Sequence, residues 1–176
     1  FDGYEVRGLD QTGISQKAGP VVSDIRLSRS TELTSSLISE GGADVILAVD
    51  PIVGASEDVL HVGDPDRTVL VASSTETPTG SMVGHPSRQL PDLTELLDRA
   101  AGVTRTQDNK VVDAGRACTD MFGDTSPANV YLLGVAVQTG AIPIEPASVE
   151  RAIELNGVAV ERNTAAFTAG RAAVNG

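Results

Sequence analysis

Two short apolar runs constrain this chain more than anything else in it. Asp44 to Asp50 reads DVILAVD, and Thr68 to Ala72 reads TVLVA. Each is almost unbroken by polar residues, the mark of a strand covered on both faces. Between them, Asp50 can cap a helix that Pro51 opens, because proline at the first helical position gives up no needed hydrogen bond. Ile52, Ala55, Ser56 and Val59 then keep helical spacing as far as Gly63. Strand, helix and strand in this order predict a right-handed βαβ unit with parallel strands. The core around it has to be aliphatic, since the 176 residues include no Trp and only 3 Phe and 2 Tyr. Such a core suits a buried parallel sheet flanked by helices, and at this length one domain can bury it without disulfides or metals.

Upstream, Gly8 to Ser28 changes character twice. Its first half is polar, glycine-punctuated and carries one lysine, Lys17. In the second half Val21, Ser23, Ile25 and Leu27 fall on one side and Val22, Asp24 and Arg26 on the other, which predicts a half-buried strand over 21–28. A further short strand is expected around Tyr4 and Val6, bounded by Gly3 and Gly8. Ser30 to Gly42 is rich in Ser and Thr with a weak apolar rhythm, so it reads as a connector with at most a short helix.

Downstream, Ser73 to Arg88 forms a long loop with Pro78, Gly80, Gly84 and Pro86. It follows a predicted strand, and ligands of open α/β sheets sit outside the carboxyl ends of strands, so the loop is a candidate site wall. Pro91 to Ala101 predicts an amphipathic helix with Leu93, Leu96, Leu97 and Ala100 on one face and Gly102 after it. Val103 to Gln107 is expected as a short strand. Val111, Ala114, Cys118 and Met121 mark another helical stripe ending near Gly123. Ser126 is expected to cap a helix opened by Pro127, with Val130, Leu133, Gly134 and Val137 buried and Gly140 closing it. Pro146 opens the next helix, with Val149, Ala152 and Ile153 inward and Gly157 as terminator. Asn163, Ala166, Phe167, Gly170 and Val174 keep helical spacing in the last segment.

Several function classes are disfavoured outright. The 13 Lys and Arg against 24 Asp and Glu give a formal charge of −11, which repels a phosphate backbone. The lone cysteine, Cys118, allows no internal disulfide and fits a reducing cytoplasm. No apolar run approaches the roughly 20 residues that span a bilayer, and no signal peptide is visible. The chain opens on Phe1, which reads as a fragment, a processed chain or a part of something longer. The GxGxxG fingerprint, the GxxxxGK[ST] phosphate loop and the GxSxG elbow are all absent. One cysteine cannot supply the thiolates of an iron–sulfur cluster, and His61 and His85 lack zinc-site spacing.

Taken singly, the polar candidates read as follows. Cys118 lies on an apolar stripe and is expected as inert core. His85 sits in a Gly/Pro loop and reads as solvated. Asp24 and Arg26 share a strand face, where a surface ion pair accounts for them. Lys17, flanked by Gly13 and Gly19, is the residue expected to touch an anion or a partner chain.

Four stretches, in order, carry a resemblance: QTGISQKAGPVVSDIRLS, ADVILAVDP, SPANVYLLGVAVQTGAIP and SVERAIELNGVAVERNTAAFTAGR. They resemble the gamma-type region of the 2-oxoacid:ferredoxin oxidoreductases, and most of all the C-terminal part of the fused indolepyruvate ferredoxin oxidoreductases. The likeness covers nearly the whole chain. It departs from the family at the start, where a strand and a GxGGxG turn normally precede the position of Tyr4, so no phosphate-binding role of that turn can be placed here.

The resemblance implies an α/β fold, a Rossmann-like three-layer domain with a mostly parallel sheet, helices on both faces and a helical C-terminal section. It implies one gamma-type domain over residues 1–176, a fragment of a larger enzyme that decarboxylates an arylpyruvate on thiamine diphosphate. Magnesium, 4Fe–4S clusters, ferredoxin and coenzyme A are implied for that whole enzyme, and none of these cofactors for this chain alone. No catalytic residue and no metal ligand is expected on it. Its implied part is to pack against the thiamine-binding regions and to line the coenzyme A entrance. Gln11, Gln16, Lys17 and Gly19 match the family's loop motif and are the expected partner-facing wall. Asn129 and Asn156 match the two helical motifs, and are expected as buried side chains satisfying backbone groups. No nucleic acid or membrane partner is expected, and homo-oligomerisation is left open. The alternative is a stand-alone α/β module binding a nucleotide or an acyl-CoA between the opening loop and Ser73 to Arg88. An independent NAD-dependent dehydrogenase is the third reading, and the missing fingerprint weighs against it.

Overall fold

In the computed structural model the chain is described over residues 1–12, 21–30, 32–75 and 92–174. Its centre is a three-stranded parallel sheet in the order β3-β4-β5, built from Val45–Ala48, Val69–Ser73 and Lys110–Val112. β3 and β4 pair in parallel from Val45 against Val69 to Ala48 against Ala72, which is the unit expected from the two apolar runs. β5 joins the other edge of β4. Every residue of β4 is buried.

Alternation along β4 divides the core into two layers. Leu70 and Ala72 face one side, with Ile46, Ala48, Val59, Leu60 and Ala100. Val69 and Val71 face the other, with Ala114, Cys118, Leu132 and Val135. The helices of the first layer are α1 (Pro51–Gly54), α2 (Glu57–Leu60) and α3 (Leu93–Ala101). The opposite layer holds α4 (Ala114–Phe122), α5 (Ala128–Gln138), α6 (Pro146–Asn156) and α7 (Val160–Ala172). The three-layer α/β arrangement therefore stands, with a helical C-terminal section.

Local signals explain most of these boundaries. The Asp50 carboxylate accepts from the backbone N–H groups of Ile52 and Val53, capping α1 ahead of Pro51. The helix expected to run to Gly63 breaks after one turn, because the Ser56 hydroxyl donates to the Val53 carbonyl at 2.7 Å and Ser56 is itself extended. Asp92 caps α3 through the Thr94 N–H. Gly123 and Gly157 end α4 and α6 in the left-handed region, at φ 82° and 71°.

Some expectations fail here for identifiable reasons. Val103 to Gln107 is no strand: the Thr104 hydroxyl donates back to the Ala100 carbonyl, and Thr106–Asp108 forms a single 3-10 turn. The strand comes later, and the Asn109 side chain leads into it by accepting from Leu70 N at 2.8 Å. Val111 accordingly belongs to β5, and Met121 is exposed, so the buried face of α4 is Ala114, Gly115 and Cys118. Ser126 caps nothing, since its hydroxyl is held by Asp124. Val137 and Gly134 are buried on α5 as expected, but so are Tyr131, Leu132, Val135 and Ala136. Val130 and Leu133 meet a second cluster around Val149 and Phe167. α5 is thus covered on nearly all sides, which erases a one-faced pattern. On α6 Val149 is buried, whereas Ala152 is exposed.

α5 and α7 cross at two glycines. A Cβ added at Gly134 would lie 3.1 Å from the Phe167 carbonyl carbon, and one added at Gly170 would lie 2.8 Å from that of Tyr131. Only a missing side chain lets the two backbones come so close. At the other end of the chain, the Asp2 carboxylate accepts from Glu145 N at 2.9 Å and from the Ser148 hydroxyl. It closes the first turn of α6, which Glu145 does not cap with its own side chain.

Apart from this body lies a two-stranded antiparallel hairpin, β1 (Glu5–Thr12) and β2 (Val21–Ser28). β2 has the expected span, while β1 runs on through Gly8 because each of its eight residues finds a partner in β2.

Candidate functional site

The hairpin carries the described part of the motif singled out in the sequence. Its register, Glu5 against Ser28 through Thr12 against Val21, sorts the side chains into two faces. One face holds Val22, Asp24 and Arg26 from β2. Val22 packs on the first core layer, and Asp24 is only 7% exposed. The Asp24 carboxylate accepts from the Gln11 amide at 3.3 Å and from Ile38 N at 3.4 Å. Arg26 donates to the Ser35 carbonyl, so the expected surface ion pair between Asp24 and Arg26 is replaced by two separate anchors to the body. At the base of the hairpin the Arg29 guanidinium stacks 4.3 Å from the centre of the Tyr4 ring.

The other face is open. Val6, Val21 and Ile25 are 58–60% exposed, Leu27 is half-buried, and Gly8 lies opposite Ile25. The one ionisable side chain in this row is Asp10, which accepts from the Ser23 hydroxyl at 2.6 Å. A solvated sheet normally turns its apolar side inward and its polar side out. Here the β2 half of the polar side is anchored, while Arg7 and Leu9 of β1 on that side are exposed, as is the apolar row on the other.

Of the residues expected to form the partner-facing wall, Gln11 is placed on this hairpin, exposed and bound to Asp24. Gln16, Lys17 and Gly19 lie outside the described residues, as does most of the long loop after Ser73, including His85. Asn129 and Asn156 are not the buried side chains expected of them. Both are exposed on their helices, and Asn129 accepts from the neighbouring Val130 N–H.

The carboxyl edge of the parallel sheet is where such folds commonly hold ligands. Ser73 ends β4 with Thr75 just beyond it, and Asp113 follows β5. The Ser73 and Thr75 hydroxyls are 2.9 Å apart, Thr75 donates to the Asp113 carboxylate at 2.8 Å and accepts from Gly115 N at 2.7 Å. Asp113 also accepts from Arg116 N, capping α4. These polar groups are taken up by one another, and they fix how α4 leaves the sheet. Cys118 is fully buried, and burial pushes its thiol pKa up, so it stays a neutral thiol. Among the described residues no three His, Cys, Asp or Glu side chains gather as a metal site. No described helix is long and apolar enough to cross a membrane.

Two hollows were not legible in the sequence, because their residues come from scattered elements. At the amino end of the parallel sheet a crevice of about 490 Å³ gathers Arg67, Arg105 and Lys110 against Asp44 and Asp108. Arg67 pairs with Asp44 and Arg105 with Asp108, both at 2.7 Å. A shallower cleft of about 610 Å³ lies between Phe122 and the start of α7. Beside it Arg162 pairs with Asp124, and this pairing together with the Ser126 contacts holds the Asp124 carboxyl well below the usual carboxylate range.

Comparison with known proteins bears on the resemblance. The family model described as "Pyruvate ferredoxin/flavodoxin oxidoreductase" matches residues 2–173. Among curated proteins, the chain is 26% identical over 170 residues to "Indolepyruvate oxidoreductase subunit IorB" of Pyrococcus horikoshii, covering 96% of this chain and 80% of the relative. A protein of the same description from Methanothermobacter thermautotrophicus is 27% identical over 139 residues, covering 77% of this chain and 64% of the relative. Among solved structures, a keto/oxoacid ferredoxin oxidoreductase gamma subunit from Geobacter sulfurreducens superposes with a TM-score of 0.63. The superposition covers 99% of this chain and 82% of that one at 17% identity, a likeness of fold.

Proposed function

The chain belongs to the pyruvate ferredoxin/flavodoxin oxidoreductase family, and from that premise we propose that it is a non-catalytic gamma-type partner domain of a 2-oxoacid:ferredoxin oxidoreductase. The observation that carries this reading is the family match across residues 2–173, and the self-satisfied polar groups at the carboxyl edge agree with it. The curated relatives are named for indolepyruvate, which favours an arylpyruvate as substrate of the whole enzyme. In this reading residues 1–176 form one domain that works in the cytoplasm.

The donors of this chain do not fit the enzyme's redox groups. Its one thiol is buried and neutral, so it cannot hold an iron–sulfur cluster. Thiamine diphosphate, magnesium and the clusters are therefore assigned to other parts of the assembly, which also meet ferredoxin. The chain's own work is to present surface: Gln11, with Gln16, Lys17 and Gly19 beyond it in the motif, faces the thiamine-binding region and borders the coenzyme A entrance. Native purification tests this. The chain is expected to elute within a larger assembly containing thiamine diphosphate and iron. Elution alone near 18.1 kDa, without either, would refute it.

A second reading rests on the cationic crevice. Arg67 and Arg105 answer Asp44 and Asp108 there, which leaves Lys110 as the positive charge in excess for an anionic nucleotide or acyl-CoA. Calorimetric titration of the isolated chain with ATP, NADH and acetyl-CoA decides it. Heat that disappears in Lys110→Ala supports a stand-alone binding module, and no heat with any of them removes it.

A further inference from the structure

We infer that the crevice at the amino end of the parallel sheet binds a small monocarboxylate with an aliphatic tail, its carboxylate on Lys110 and its tail against Val69, Ala141 and Val174. This rests on the crevice reading above and narrows its class of anions.

Charge comes first. Arg67 is paired with Asp44 and Arg105 with Asp108, each at 2.7 Å. Lys110 is exposed and has no partner among the described residues, so the lining holds one positive charge in excess. Asp64, outside the lining, adds a further negative field at Arg67. A polyphosphate with three or four charges would be poorly answered here and would lie against Asp44 and Asp108. One carboxylate matches the excess. Among the described residues no aromatic side chain lines the crevice, so an adenine ring would find nothing to stack on.

Hydrogen bonding points the same way. The carboxylates of Asp44 and Asp108 are already taken by the arginines, whereas Lys110 and the Gln107 amide have no partner among the described residues. Gln138 accepts from Arg171 Nε at 3.0 Å through its amide oxygen, which leaves its NH2 as a donor. Arg105 Nε is buried and meets no acceptor. Donors therefore outnumber acceptors around the crevice, and an ionised carboxylate brings acceptors only. Bonds from Lys110 to such an oxygen are charge-assisted, which strengthens them over neutral ones.

The apolar part of the lining comes from three distant segments. Val69 opens β4, Ala141 follows the turn that ends α5, and Val174 follows α7, and all three belong to the edge of the second core layer. An alkyl chain laid on them takes apolar surface out of water on both sides. The volume of about 490 Å³ is that of a small-molecule site.

The test is calorimetric titration of the full chain, in the assembly with which it purifies, using sodium hexanoate. Acetate serves as the anion without a tail and hexanamide as the tail without a charge. Saturable binding of hexanoate is expected with a Kd of about 1 mM, as a ligand of so few atoms permits. Acetate and hexanamide should each bind at least about tenfold more weakly. Lys110→Ala should weaken hexanoate by a similar factor and Lys110→Arg should keep it, both with wild-type Tm because the side chain already faces water. No binding of hexanoate, binding unchanged in Lys110→Ala, or equal binding of acetate or hexanamide overturns the inference. ATP, NADH or acetyl-CoA heat that disappears in Lys110→Ala, with none from hexanoate, removes this inference and keeps the nucleotide or acyl-CoA reading. Hexanoate binding that Lys110→Ala abolishes, with no heat from those three, does the reverse.

Discussion

Replacing Gly170 by alanine should reverse the usual effect of such a change. In a helix interior, alanine is favoured over glycine by about 0.5–1 kcal/mol, so an unobstructed substitution would raise the stability of α7. At Gly170 the added carbon would lie 2.8 Å from the Tyr131 carbonyl carbon and 3.2 Å from its Cα. Ordinary contact begins at about 3.4 Å, so the carbonyl carbon alone asks α5 and α7 to separate by about 0.6 Å, and the Tyr131 carbonyl oxygen, which the added carbon would overlap, asks for more. The obstacle is main chain, which has no rotamer to change, and this puts the cost at the upper end of the overpacking range, about 3 kcal/mol. Set against the propensity gain, about 2 kcal/mol remains. For a chain of this length that corresponds to a fall in Tm of about 4–8 °C. Urea denaturation should show a lower midpoint with an unchanged slope, since the native surface hardly alters. Gly134→Ala meets the Phe167 carbonyl carbon at 3.1 Å and should act in the same direction. The double variant should lose less than the sum of the two, because one separation of the helices accommodates both methyl groups. A Tm of Gly170→Ala equal to or above that of wild type would show that the crossing is looser than described.

Two other predictions concern titratable groups. Asp124 has its folded-state pKa lowered by Arg162, so its contribution to stability is whole above the unfolded carboxylate value of about 3.9 and is lost as pH falls below it. Asp124→Asn should therefore flatten the acid limb of a Tm-against-pH profile, and an identical acid limb in the variant would count against the pairing. Cys118, buried and raised in pKa, should resist an aromatic disulfide reagent in the native state and react fully in urea, whereas rapid native labelling would contradict its burial.

What could be read from the sequence divides along a physical line. The parallel unit was legible because a strand buried on both faces leaves an unbroken apolar run, as in Val45–Ala48 and Val69–Ser73, and because Asp50 and Pro51 mark a helix start with local chemistry. The span of β2 was legible from its alternation, but which side faces inward was not. Period two separates Val21, Ser23 and Ile25 from Val22, Asp24 and Arg26, and nothing in the spacing says that Asp24 will find Ile38 N and the Gln11 amide. The crevice at Arg67, Arg105 and Lys110 left no local trace, since tertiary structure alone brings those positions together. Asn129 and Asn156, expected as buried side chains satisfying backbone groups, instead stand on the exposed sides of their helices. The glycines of the same stretches, Gly134 and Gly170, are the residues that the helix crossing demands.

The clasp at Asp2 bears on the order in which the chain assembles. Starting a helix is its costly step, and most helices carry a residue that eases it within their own sequence. α6 takes that help from a carboxylate 143 positions earlier in the chain. A peptide cut to residues 146–156 would lack it, and so would a growing chain whose first residues had not yet come alongside. Closure of this first turn therefore belongs among the late events of folding. In the finished molecule, loss of the Asp2 contact should open the first turn of α6, so the backbone amides around Asp2 and those of that turn are expected to exchange hydrogen as one unit.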